Sequence, residues 1–275
     1  MRKHILLYTI LATITVLFSC DDPIDLDTKQ AEPVMVIEGL VTNEEHTQYV
    51  RVTKSVSFYS DQSNQPITNA TVVVSDDQGN VYNYSYSDNG GYYISDVAYA
   101  GEIGRVYSLV VNAEGEEYTA SDKLVRVTTI DSLTVEIDEE EYEDPEDEGN
   151  YYEVLLYTKE PQDTEDYYLF KFYRNGDLMR DEVTDIYYSD DEFLAENIDG
   201  ITTPGYFSLG DTATVEMYSI SLNGFKYYSD LTNLLNSDGG LFGPPPVNPL
   251  GNISNGAMGF FQVSAVDRSS ILIKE

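Results

Sequence analysis

The chain has 275 residues and a formal net charge of -34, with 49 Asp and Glu against 15 Lys and Arg. A surface this acidic repels phosphate backbones, which excludes nucleic-acid binding as a main function. One cysteine and two histidines rule out an intrachain disulfide and the usual zinc ligand sets.

Arg2 and Lys3 head an uncharged run at residues 5–18, and Asp21 and Asp22 follow Cys20 directly. The run is well short of the roughly 20 apolar residues a spanning helix needs, so residues 1–19 read as a signal peptide. Leu17, Phe18 and Ser19 before Cys20 resemble the lipobox of bacterial lipoproteins, which makes Cys20 the expected site of lipid attachment and the first mature residue. Acyl chains contribute about 0.8 kcal/mol per buried methylene, so two or three of them anchor a chain to a membrane. Asp21, Asp22, Asp25 and Asp27 resemble the acidic run that exports lipoproteins to the outer face of the outer membrane in Bacteroidota. Residues 20–33 are the expected acidic tether.

From residue 34 the chain breaks into short β-type runs ("VMVIEGLV", "QYVRVTK", "ATVVVSD", "VYNYSYS", "GYYISD", "YSLVVN", "LVRVTT") separated by Gly, Asn and Asp turns. This spacing predicts an all-β sandwich over residues 34–129. In "VYNYSYS" the period of two puts Tyr82, Tyr84 and Tyr86 on one face, the expected half-buried one. Ala70, Asp76, Gly79, Gly91 and Tyr93 fit the pattern of a prealbumin-like repeat, which implies an Ig-like fold for this part and carries no function.

Residues 136–148 carry ten acids and no base, so the acidic stretch 136–150 is expected to be a solvated loop or hairpin tip within a second β-rich domain, residues 130–275. "RNGD" and "LNGF" read as tight hairpin turns, and Asp230 to Asn236 reads as one short helix with Ser229 as its cap. The Gly- and Pro-rich segment 239–259 contains four prolines and is too apolar for a plain loop, so it is expected to be either a docked lid or a partner-facing loop, and in the second case Phe242, Pro244, Pro245, Pro246, Asn252 and Phe260 are expected to face the partner.

Little in the chain points to catalysis. His46, the only histidine after the leader, sits in the polar turn "TNEEHTQ", and no thiol other than Cys20 exists. No enzyme and no cofactor is expected. Several acidic clusters could offer oxygens to calcium, but none has the alternating ligand pattern of a helix-loop-helix calcium site. The recurrent Tyr-Tyr pairs are expected to place one ring inside and one outside, leaving a few as a possible ligand platform.

Taken together, "VIEGLVT", "NATVVVSDDQG", "DYYLFKFY", "GDTATVEMYSIS", "YYSDL" and the closing "GNISNGAMGFFQVSAV" resemble a Bacteroidota lipoprotein family labelled domain of unknown function 4249. The resemblance runs from about residue 34 to the end, and Gly251, Asn252, Ile253, Gly256, Gly259, Phe260 and Phe261 are its most specific part. It implies a surface lipoprotein working beside an outer-membrane β-barrel receptor of the TonB-dependent kind, and it implies no catalytic residues. A structural or adhesive envelope protein that binds glycan or matrix is the alternative. A hydrolase using a carboxylate pair comes third.

Overall fold

A computed structural model describes residues 32–56, 64–88, 91–143, 149–159, 161, 163–191, 197–237 and 247–274. The chain is all-β, and Pro33–Glu275 forms one compact unit. Cys20, Asp21 and Asp22 lie outside the described residues, as do Phe242, Pro244, Pro245 and Pro246.

The first half supplies β1 (Met35–Thr42), β2 (Tyr49–Lys54), β3 (Gln65–Pro66), β4 (Thr71–Asp76), β5 (Val81–Ser87), β6 (Tyr92–Ser95), β7 (Val106–Ala113) and β8 (Glu116–Lys123). The second supplies β9 (Ile130–Ile137), α1 (Glu139–Glu143), β10 (Tyr152–Lys159), β11 (Tyr167–Arg174), β12 (Asp177–Leu178), β13 (Tyr187–Asp190), β14 (Asn197–Thr202), β15 (Thr212–Ile220), α2 (Leu222–Leu235), β16 (Phe261–Ser264) and β17 (Val266–Leu272).

The first sheet runs β16-β1-β2-β6-β5-β4-β7-β8, with β3 added beside β2. Every pairing is antiparallel except β1 with β16, which is parallel. Alternate side chains of these strands, among them Ile37, Val50, Val52, Val74, Leu109, Val111, Phe261 and Val263, form one buried core. The tyrosine face of β5 turns inward as expected, with Tyr84 buried and Tyr82 and Tyr86 half-buried. Two residues of the prealbumin-like pattern have visible work. Asp76 closes its turn by accepting from the Gln78 and Asn80 backbone amides at 3.0 and 2.9 Å. The Tyr93 hydroxyl accepts from Ala70 N at 2.8 Å and donates to Ile67 O at 2.7 Å.

The sheet curls over this core as the first sandwich, and its two ends meet. Val263 N donates to the Asp122 carboxylate at 3.0 Å, and Val125 bridges Ser264 just beyond β8. The C-terminal motif seals this seam. The Asn252 side chain accepts from Phe261 N at 2.9 Å and donates to Phe261 O at 2.8 Å, and it also reaches Ser121 O. Met258 and Phe260 extend the ladder along β1 through Ile37 N and Gly39 N. Gly259 has φ +103°, and a Cβ there would stand 2.1 Å from Ile37 O.

Three strands, in the order β14-β10-β9, face five others, β12-β11-β15-β17 with β13 beside β11, to make a second sandwich. Its core places Ile130 and Leu156 against Tyr168, Phe170, Phe172, Val215 and Met217. The "RNGD" turn is a hairpin as expected, with Asn175 and Gly176 at φ +54° and +91°.

Two expectations are corrected. "LNGF" is no hairpin but the first turn of α2, because the Ser221 hydroxyl caps the helix by accepting from Gly224 N at 3.2 Å, and Gly224 packs against Ile220 and Phe260. The helix therefore starts eight residues before the expected Asp230 and is capped by Ser221 in place of Ser229. Part of the acidic stretch is also ordered as α1, whose amides at Glu140 and Glu141 are capped by Asp138. The 34–129 segment supplies all of the first sheet except β16, which arrives from the far end of the chain.

Three outcomes follow from the first sheet. Gly259→Ala should destabilise the protein by about 2–4 kcal/mol in chemical denaturation, because the new carbon meets backbone that cannot yield. Gly79→Ala, at a turn with open space around it, should cost only about 1 kcal/mol. Burial raises the Asp122 carboxyl to about 6 from its ordinary 3.8, against hydrogen bonds from Val263 N and Ser221 that favour the charge. The folded state thus holds this proton more tightly than the unfolded chain, so the cost of ionising Asp122 grows as pH rises between those two values and is constant above them. Asp122→Asn, which keeps an acceptor for Val263 N, should gain about 2 kcal/mol over wild type at pH 7 relative to pH 4 in paired urea titrations.

Candidate functional site

Strand β11 carries "YYLFKFYR", whose period of two sends Tyr168, Phe170 and Phe172 into the second sandwich and Leu169, Lys171 and Tyr173 to its outer side. Beyond β11 stands β13, with Tyr187 opposite Phe170 and Tyr188 opposite Leu169. In the facing sheet β14 is paired with β10, and with no other strand among the described residues. Among the described residues β13 and β14 do not pair with each other, and a cleft of about 570 Å³ lies between them.

Its walls are aromatic. Phe170 and Phe172 lie parallel at 6.2 Å between centroids, and Tyr187 meets Phe172 edge-on at 5.2 Å. From α2, Phe225 closes one end against Tyr167 at 5.0 Å and Tyr188 at 5.4 Å. Ile201 and Pro204 complete the far wall, while Ser189, Asp190 and Thr202 supply the polar groups. Buried apolar walls with a few polar atoms at one side are the usual build of a small-molecule or side-chain pocket, and the volume falls in the range of such sites. The described lining residues include no His, Cys, Lys or Arg.

A second polar feature sits on the outer face of β11. Glu216 accepts from the Tyr173 and Tyr218 hydroxyls at 2.9 and 2.7 Å and from Arg268 Nε at 2.8 Å. Burial pushes its carboxyl up, but these bonds outweigh burial and hold it below the usual range. Arg268 continues to Glu44 at 3.1 Å, in the turn that follows β1, so this network ties the two sandwiches. Lys171 lies 4.6 Å from the Tyr218 ring, and burial lowers its ammonium while Glu216 opposes that shift.

Of the residues expected to face a partner, Asn252 and Phe260 are described, and both are engaged within the chain. Asn252 holds Phe261, and Phe260 is 5% exposed with its ring 5.1 Å from Tyr227 of α2. His46 has its ring nitrogens at 3.0 Å from Thr42 Oγ1 and 2.9 Å from Thr47 O. Among the described residues no group of three or more His, Cys, Asp or Glu is placed to hold a metal ion. The Tyr-Tyr pairs at 92, 151 and 167 follow the expected rule, with Tyr93, Tyr152 and Tyr168 buried and their neighbours half-buried. At 187 both rings are half-buried and both line the cleft. Sequence reading missed Phe170, Phe172, Ile186 and Phe225 as cleft residues. The one available signal was the unbroken aromatic alternation of "DYYLFKFY", which a plain core strand would also show.

The model of the family described as Domain of unknown function (DUF4249) matches residues 21–270. The chain belongs to this family. Among curated proteins, none matches it. The matched span takes in both sandwiches, the cleft between β13 and β14, and the C-terminal motif that closes the first sheet.

The cleft should admit a neutral aromatic probe. Titration with indole should shift the methyl resonances of Ile186 and Ile201 in a saturable way, and Ile201→Trp, which fills the mouth, should weaken that binding at least about fivefold. Shifts spread evenly over the molecule would show that the cleft does not bind it.

Proposed function

We propose that this DUF4249 chain is a non-enzymatic surface lipoprotein of Bacteroidota type. In this reading lipid on Cys20 anchors it to the outer membrane, Asp21 and Asp22 direct it outward, and it serves as a substrate-binding accessory of a TonB-dependent β-barrel receptor. The first sheet then acts as an Ig-like, prealbumin-like support and the second sandwich as the ligand module. The observation that carries the reading is the cleft of about 570 Å³, which offers an aromatic space for a ligand. Ser189 and Asp190 in its lining have no histidine or lysine beside them among the described lining residues, which favours holding over turnover. The lipobox residues before Cys20 support the anchor, and the resemblance of the chain to a lipoprotein family supports the receptor.

Replacing Cys20 by Ser should move the protein from the membrane to the soluble fraction. A Ser variant that still sediments with membranes would defeat the anchor. Crosslinking in intact cells should capture a large β-barrel, and recovery of envelope polysaccharide or matrix alone would support the adhesive alternative instead.

A further inference from the structure

Acidic groups outnumber basic ones in the cleft and the adjoining cleft that shares its walls. Asp190 is the only Asp, Glu, Lys or Arg among the first cleft's described lining residues. It stands on the rim at the end of β13, opposite Tyr167. Two tyrosine hydroxyls at this edge are shifted partly by nearby carboxylates. Tyr187 is raised first by burial and then by the carboxylates of Asp185 and Asp181. Tyr167 is raised by burial, then by Glu165, Asp191 and Asp190. Arg174 and Arg180 line an adjoining cleft that shares Tyr187 and Pro204 with this one, where they donate to the backbone carbonyls of Tyr206 and Val183 and where Asp177, Asp181 and Asp185 also form the walls. Aromatic faces add to this preference, since their quadrupoles attract ammonium and guanidinium groups.

We propose that the cleft selects an apolar side chain carried by a basic peptide, with the side chain between Phe170, Phe172, Tyr187 and Phe225 and a flanking ammonium at Asp190. The inference rests on the ligand-binding reading given above and narrows it to one chemical class. Acidic and phosphorylated ligands are turned away by the same field that draws a cation in. Neutral aromatic groups bind, but without the charge they gain only the walls.

The chain has no tryptophan, so the emission of a tryptophan peptide reports on the peptide alone. The full mature protein is titrated with acetyl-Lys-Trp-Lys-amide and acetyl-Glu-Trp-Glu-amide at equal, low ionic strength. The basic peptide should show a blue shift on binding and bind about tenfold more tightly than the acidic one, with the advantage shrinking as salt is added. Asp190→Asn should weaken the basic peptide about threefold or more. Ile201→Lys, at a mouth position 36% exposed, should abolish or invert the preference while leaving the fold intact. Equal, blue-shifted binding of both peptides would overturn the charge selection and leave the ligand cleft standing. Binding of the basic peptide that neither variant changes would mean attraction to the acidic surface at large, and would overturn the proposal. No blue shift for either peptide would remove both the proposal and the ligand-cleft reading beneath it.

Discussion

A single run of backbone, residues 261–272, is hydrogen-bonded into both sandwiches. Its first part, β16, lies parallel to β1, and its second, β17, lies antiparallel to β15. Ala265 is the crossing point, and it is fully buried. There Ser219 supplies what a regular ladder would: its amide donates to Ala265 O at 2.9 Å, and its hydroxyl accepts from Ala265 N at 3.0 Å and donates to Val125 O at 2.8 Å. A buried bend with open amides would cost several kcal/mol in unsatisfied polar groups, and this one serine removes most of that cost.

The other junction contacts reinforce the crossing. The helix α2 begins where β15 ends, and its cap Ser221 donates to Asp122 at the seam of the first sheet while its ring at Phe225 closes the cleft of the second sandwich. The ion-paired chain Glu44–Arg268–Glu216 spans the same boundary from the other side of β17. Cleft walls, helix and seam are thus held by one set of neighbours. A rigid frame of this kind keeps the gap between β13 and β14 open, since neither strand is free to slide toward the other without disturbing β11 or β10.

Much of the local structure was legible in the sequence because strand alternation and turn chemistry are short-range. The β5 tyrosines, the Asn175-Gly176 hairpin and the Asp76 turn all follow from residues within a few positions of one another. What escaped was non-local. "LNGF" carries a hairpin signal, yet Ser221 one residue earlier and the packing of Gly224 on Phe260 turn it into a helix start. Asn252 and Phe260 look surface-directed in a Gly- and Pro-rich stretch, and only the return of β16 to β1 reveals that they close a core. The cleft is legible least of all, because its walls come from β11, β13, β14 and α2, which only the tertiary fold brings together.

The crossing strand also sets the order in which the molecule can be made. Gly39 pairs with Phe261 and Thr212 with Leu272, so neither sandwich has its full set of strands until residues 261–272 have been synthesised. Closing β1 onto β16 joins segments more than two hundred residues apart, and such long-range parallel pairing is slow to form. Until then the nascent chain has one sheet with an unpaired β1 edge and another with an unpaired β15 edge, both open to other chains. A polypeptide built this way stays unfinished while it is elongated and then completes both halves together, in a single event once residues 261–272 have emerged.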